Sequence, residues 1–78
     1  MINVSDIREH MEVVGSDGGH VGKVDHVMGV DIELAKFDIG SGLKHHLIPL
    51  TWVDHVEEDK VCLNLTKEAA KAGWRERH

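Results

Sequence analysis

Turn-forming residues divide this chain into pieces whose length suits strands and little else. Ser16-Asp17-Gly18-Gly19, Gly29-Val30, Asp38-Ile39-Gly40-Ser41-Gly42 and Glu57-Glu58-Asp59-Lys60 each separate one apolar run from the next. Asp-Gly and Gly-Gly dipeptides supply the positive φ that tight hairpin turns need. Between these breaks the side chains follow a period of two, the mark of a half-buried strand. Met11-Glu12-Val13-Val14 is a short strand ending at Gly15. Asp31 to Phe37 sets Ile32 and Leu34 against Glu33 and Ala35. His45 to Leu50 sets His46, Ile48 and Leu50 against His45, Leu47 and Pro49, and Val61, Leu63 and Leu65 stand opposite Cys62 and Asn64. Val21 to Met28 departs from alternation, because Val21, Val24 and Val27 recur every three residues. A β-bulge at Gly22 would restore the facing and curl the strand. Pro49 cannot donate to a ladder and so marks an edge or a strand end. Thr51-Trp52-Val53-Asp54 reads as a tight turn.

Two segments carry a helical signature. Val4, Ile7 and Met11 share one face of a short N-terminal helix for which Ser5 is the cap, with Asp6 and Glu9 in its first turn. Thr66 caps a final helix through Lys67-Glu68-Ala69-Ala70-Lys71-Ala72, with Trp74 four residues beyond Ala70. The expectation is a mainly β protein, five short strands in a small antiparallel barrel or curled sheet, with the two terminal helices covering its open edges.

Size and charge narrow the function. At 78 residues the chain makes a single domain, 1–78. A chain this short buries only about 60% of its unfolded surface, so it is marginally stable alone. The lone Cys62 excludes an intramolecular disulfide framework and a four-cysteine zinc site. Fourteen acids against nine bases argue against DNA as a partner, and the three aromatics Phe37, Trp52 and Trp74 lie outside any basic cluster, which argues against RNA as well. The cationic stripe Lys67, Lys71, Arg75 and Arg77 is interrupted by Glu68 and Glu76 and reads as a solvated helix face. No apolar run approaches the length of a membrane span and no secretory leader pattern opens the chain, so a cytoplasmic protein with no membrane partner is expected.

Val14-Gly15-Ser16-Asp17-Gly18-Gly19-His20-Val21-Gly22-Lys23-Val24-Asp25-His26-Val27 resembles the opening hairpin of PRC-barrel domains. Together with Ile7-Arg8-Glu9-His10-Met11, His45-His46-Leu47-Ile48-Pro49-Leu50-Thr51-Trp52-Val53 and Val61-Cys62-Leu63-Asn64-Leu65-Thr66-Lys67-Glu68-Ala69-Ala70, it is similar in order and spacing to the small bacterial proteins of the DUF2171 family. The resemblance implies a five-stranded antiparallel PRC-barrel-like β-barrel. It implies an interaction module rather than an enzyme, and it brings no catalytic residue and no cofactor.

Seven histidines are the compositional oddity; protonating all of them would take the formal charge from −5 to +2. Four, His20, His26, His46 and His55, are the candidate metal ligands. The motif Val24-Asp25-His26-Val27 recurs as Val53-Asp54-His55-Val56, and a carboxylate beside an imidazole can orient it for zinc or nickel. Neighbouring residues diverge on a regular strand, however, so neither Asp-His nor His45-His46 chelates one ion without a bulge. The competing account is a solvated, pH-sensitive surface. Cys62 has no local base, and Ser5, Ser16 and Ser41 serve caps and turns, so no nucleophile is indicated. The amides of Ser16-Asp17-Gly18-Gly19 suit a strand turn better than a phosphate cradle, because Asp17 repels an anion. Trp52 and Trp74 are expected to plug the barrel and to pin the last helix, and they are the interface candidates if exposed. The expectation is therefore a non-catalytic scaffold that binds a protein or itself, a homodimer being the simplest form, with a histidine-based metal or pH-responsive binder as the alternative.

Overall fold

The structure, a computed structural model, describes residues 4–35 and 45–77, the side chains of 76 and 77 excepted. Phe37, Ser41 and the expected loop 38–42 lie outside the described residues. The strands are β1 (Glu12–Val14), β2 (His20–Met28), β3 (Asp31–Leu34), β4 (His45–Pro49), β5 (Val53–Glu57), β6 (Lys60–Leu63) and β7 (Arg75–Arg77), and the one α-helix among the described residues, α1, spans Lys67–Gly73. They form one mixed sheet in the order β5-β6-β1-β2-β3-β4-β7. The mainly β class holds. The sheet differs from the expected five antiparallel strands, because β1 pairs with β6 in parallel and β5 and β7 are its two edges.

Three segments differ from the expectation. The expected N-terminal helix is a single 3-10 turn, Val4–Asp6. His10 adopts φ 71, which a helix cannot contain, and the Arg8 amide donates to Met11 Sδ at 3.0 Å. Ile7 and Met11 still reach the core. The tight turn expected at Thr51–Asp54 is split, a 3-10 turn at Leu50–Trp52 running straight into β5. Beyond α1 the chain straightens at Trp74 and pairs with β4 as β7, antiparallel.

One face of the curled sheet holds the core: Val13, Val21, Val24, Ile32, Leu34, Ile48, Val53, Val61 and Leu63, closed by Ile7, Met11 and Ala70 of α1. The alternation read from the sequence places Ile32 and Leu34, His46 and Ile48, and Val61 and Leu63 inward. β2 reconciles its three-residue spacing by two irregularities. Val13 and Val14 pair with Gly22 and His20, leaving Val21 as an extra residue beside Gly22. Val24 and His26 pair with Leu34 and Glu33, leaving Asp25 extra. Each extra residue adds local twist and lets valines three apart both face the core.

The turn after β1 is fastened to α1. Asp17 Oδ1 accepts hydrogen bonds from the Gly19 amide (3.1 Å) and from the Lys67 amide (3.2 Å) at the start of the helix. These amides hold the Asp17 carboxyl below its usual range. Thr66 is the N-cap, its hydroxyl accepting from the Ala69 amide at 3.2 Å. At the other end of α1, Trp74 stacks on His46 of β4 with ring centroids 3.9 Å apart and planes 16° from parallel. Trp52 packs against the core and lies where a side chain on Gly73 would meet its ring at 3.3 Å. Both tryptophans are half-buried in the packing of the helix on the sheet. No helix among the described residues is long and apolar enough to cross a membrane.

Gly15 sits under the first turn of α1, where a Cβ would lie 2.8 Å from the Thr66 carbonyl carbon and closer still to the Lys67 amide. Gly15→Ala is therefore expected to cost about 3 kcal/mol or more in urea unfolding, since backbone rather than a side-chain tip must yield. Gly18, at φ 81 with open space around it, should lose only about 1–2 kcal/mol on the same change. Wild-type stability in Gly15→Ala would show that α1 does not dock on this turn.

Candidate metal centre

The outer face of the sheet should be wet, yet it contains a buried acid. Glu33 of β3 points away from the core, because its neighbours Ile32 and Leu34 take the inner face. Its side chain is nevertheless only 4% exposed. An ionised carboxylate removed from water needs nearby positive charge or hydrogen-bond donors to offset the lost solvation.

Three strands supply its surroundings. His26 lies directly across from Glu33 on β2, and Leu47 directly across on β4, so that His45 occupies the diagonal position on the same face. His26 Nε2 is 3.4 Å from Glu33 Oε2, and His45 Nδ1 is 3.2 Å from Glu33 Oε1. His45 Nδ1–H donates to the Leu34 carbonyl at 2.9 Å. On β2, His26 Nδ1 meets Asp25 Oδ2 at 3.2 Å. Ligand atoms of Asp25, Glu33 and His45 all lie within 4.8 Å of one another. That set, with His26 at its rim, is the candidate site.

The bulge creates it. On a regular strand Asp25 and His26 would point to opposite faces. With Asp25 as the extra residue, Val24 and Val27 both turn to the core and Asp25 and His26 both reach the Glu33 side. The second copy of the motif is built the same way: Val53 and His55 pair with Leu63 and Cys62, leaving Asp54 extra. There His55 Nδ1 meets Asp54 Oδ2 at 2.7 Å and His55 Nε2 meets Glu57 Oε2 at 3.0 Å. The repeat in the sequence is thus a repeated bulge with the same Asp–His–Glu order of contacts. The copies differ in setting, for Glu33 is buried in mid-sheet and Glu57 is exposed on the edge strand β5.

The four histidines singled out in the sequence do not converge. His26 flanks the Glu33 centre. His20 faces Glu12 at 2.8 Å on the β1–β2 pair, His46 is buried against Trp74, and His55 is engaged by Asp54 and Glu57. Glu33 and His45 were not among the sequence candidates. The signal that could have found Glu33 is an acid set between Ile32 and Leu34, two core residues of one short strand. A shallow hollow lined by Arg8, Glu9, His10, Met11 and Asp59 lies elsewhere, spanned by the Arg8–Asp59 ion pair. Cys62 is half-buried, and burial, with the Glu57 charge behind it, pushes its thiol up, away from the reactive thiolate.

Residues 7–71 match the family described as uncharacterized proteins conserved in bacteria, DUF2171. The chain belongs to the DUF2171 family. The match covers Asp25, His26, Glu33 and His45 and the three bulges, and it ends before Trp74 and β7. Neither the curated proteins nor the solved structures offer a match to the chain.

In the second motif, hydrogen bonds that the His55 ring donates to Asp54 first and Glu57 second raise its pKa above the ordinary value. The stabilisation this linkage supplies is complete below about pH 6.5 and is lost as pH rises through the folded-state value. An NMR titration of the ring protons should place the His55 midpoint above 6.5 and move it down in Asp54→Asn. A midpoint at or below 6.5 would show that the two carboxylates do not hold the ring.

Proposed function

We propose that this DUF2171 member is a non-catalytic binding module whose functional element is a divalent metal site formed by Asp25, Glu33 and His45. The observation that carries the reading is that Glu33, buried on the face of the sheet opposite the core, has Asp25 and His45 ligand atoms gathered beside it. Two carboxylates and an imidazole converge there from three adjacent strands. Two carboxylates neutralise a dication, so the loaded centre carries no net charge into the sheet. The ligand types suit first-row transition metals, and the site stands on paired strands rather than on a loop, which favours fixed geometry.

The PRC-barrel kinship belongs to the same reading. What supports it is the bulged, glycine-turned β1–β2 hairpin and the curl that the bulges give the sheet. Self-association draws less support from the fold, since Trp52 and Trp74, the interface candidates, are engaged in packing α1 against the sheet.

Calorimetric titration with Zn2+ tests the proposal. One saturable event per chain is expected, with Glu33→Gln weakening it at least about tenfold and His55→Ala leaving it unchanged. Binding should also stabilise the fold, by about 2.7 kcal/mol at a free zinc concentration one hundred times Kd. The absence of saturable heat, or equal affinity in Glu33→Gln, would overturn the reading.

A further inference from the structure

We infer that His26 is a fourth ligand of this centre, which makes it a two-nitrogen, two-oxygen site that selects Zn2+ over Mg2+ and Ca2+. The inference rests on the metal-binding reading and adds to it a residue, a coordination number and a ligand class.

The contacts of the His26 ring are those of a ligand held ready. A carboxylate only accepts, so Nδ1 carries the hydrogen that Asp25 Oδ2 receives at 3.2 Å. The other nitrogen, Nε2, faces Glu33 Oε2 at 3.4 Å. Two lone-pair atoms brought together at that distance repel unless a cation lies between them. A proton can serve, and so can a metal ion. Ligating histidines commonly donate their second ring nitrogen to a carboxylate or a backbone carbonyl, which fixes the tautomer and the ring direction. Asp25 supplies this for His26 with one oxygen and keeps the other for the ion.

The spacing around Glu33 agrees with a small tetrahedral ion. Bonds of about 2.0–2.1 Å from zinc to nitrogen and oxygen set neighbouring ligand atoms about 3.3–3.4 Å apart in a tetrahedron. His26 Nε2 stands 3.4 Å from Glu33 Oε2 and His45 Nδ1 3.2 Å from Glu33 Oε1, so each imidazole is at ligand spacing from one oxygen of the carboxylate. An ion at His45 Nδ1 replaces the hydrogen now given to Leu34 O, which moves to Nε2. Asp25, Glu33 and His45 offer atoms within 4.8 Å of one another and His26 stands at the edge of that set, so Asp25 and His26 must both close in on the ion. The bulge that carries Asp25, and its half-exposed position, leave room for that shift. The His26 side chain is 45% exposed and can pivot without displacing core atoms. Ca2+ takes six to eight oxygens at 2.3–2.6 Å and Mg2+ six in an octahedron, and two imidazoles satisfy neither.

Long-range nitrogen–proton spectra of the histidine rings, recorded on the full chain with and without Zn2+, test the assignment. One ring nitrogen of His26 and one of His45 should shift on zinc addition, while those of His20, His46 and His55 stay in place. In titrations, His26→Ala should lose about 10–100-fold in zinc affinity. His26→Asn, which keeps a polar side chain there, should lose as much and exclude a loss due to folding. A hundredfold excess of Mg2+ or Ca2+ should leave zinc bound. If wild type binds zinc while its His26 nitrogens do not move, or both His26 variants bind as tightly, the fourth ligand is wrong and the three-residue centre stands. If Mg2+ or Ca2+ displaces zinc at comparable concentration, the selectivity is wrong. If wild type binds no zinc, both proposals fall together.

Discussion

A buried carboxylate on the outward face of a sheet sets the terms for the strands around it. Glu33 lies between β2 and β4, with His26 beside one of its oxygens and His45 beside the other. Remove that carboxylate and nothing on this face calls for two imidazoles and a second acid in one place. The core on the opposite face is ordinary by comparison, a layer of valine, isoleucine and leucine capped by α1. The two faces are linked through β2, whose bulge serves both. The extra Asp25 lets Val24 and Val27 face the core, and the same insertion turns His26 toward Glu33. Packing on one side thereby produces chemistry on the other.

The same device at Asp54 shows what the setting adds. The motif Val53-Asp54-His55-Val56 makes the same bulge and the same Asp–His contact, but on an edge strand in water. Its histidine is held between two exposed carboxylates, an arrangement of charges that also discourages another strand from adding to the edge. Exposed pairs of this kind contribute little to stability. A buried carboxylate in mid-sheet is a different matter, because solvent does not screen it.

Much of the fold was legible because its signals are local. Alternation placed Ile32, Leu34, Ile48, Val61 and Leu63 inward, and Thr66 announced α1. The every-third-residue valines of β2 called for a bulge, expected at Gly22. The structure places one extra residue beside that glycine, at Val21, and a second at Asp25. What could not be read was non-local. The parallel pairing of β1 with β6 joins residues far apart in sequence, and no periodicity encodes it. Reading Thr51–Asp54 as a tight turn hides the start of β5 and the bulge at Asp54. The centre was half visible. His26 stood out by its repeated motif, whereas Glu33 and His45 depend on cross-strand register, which brings Glu33 beside His26 and diagonal to His45 only once β3 and β4 are paired.

The whole centre depends on the bulge at Asp25, which brings the His26 ring onto Glu33 between β2 and β4. Nuclear Overhauser contacts in solution measure it directly. Ring protons of both His26 and His45 should show contacts to the Glu33 γ-methylene, with the Val24–Leu34 and His26–Glu33 strand pairs on either side of an unpaired Asp25. A regular ladder that pairs Asp25 across from Glu33, with the His26 ring showing no contact to Glu33, would contradict the account.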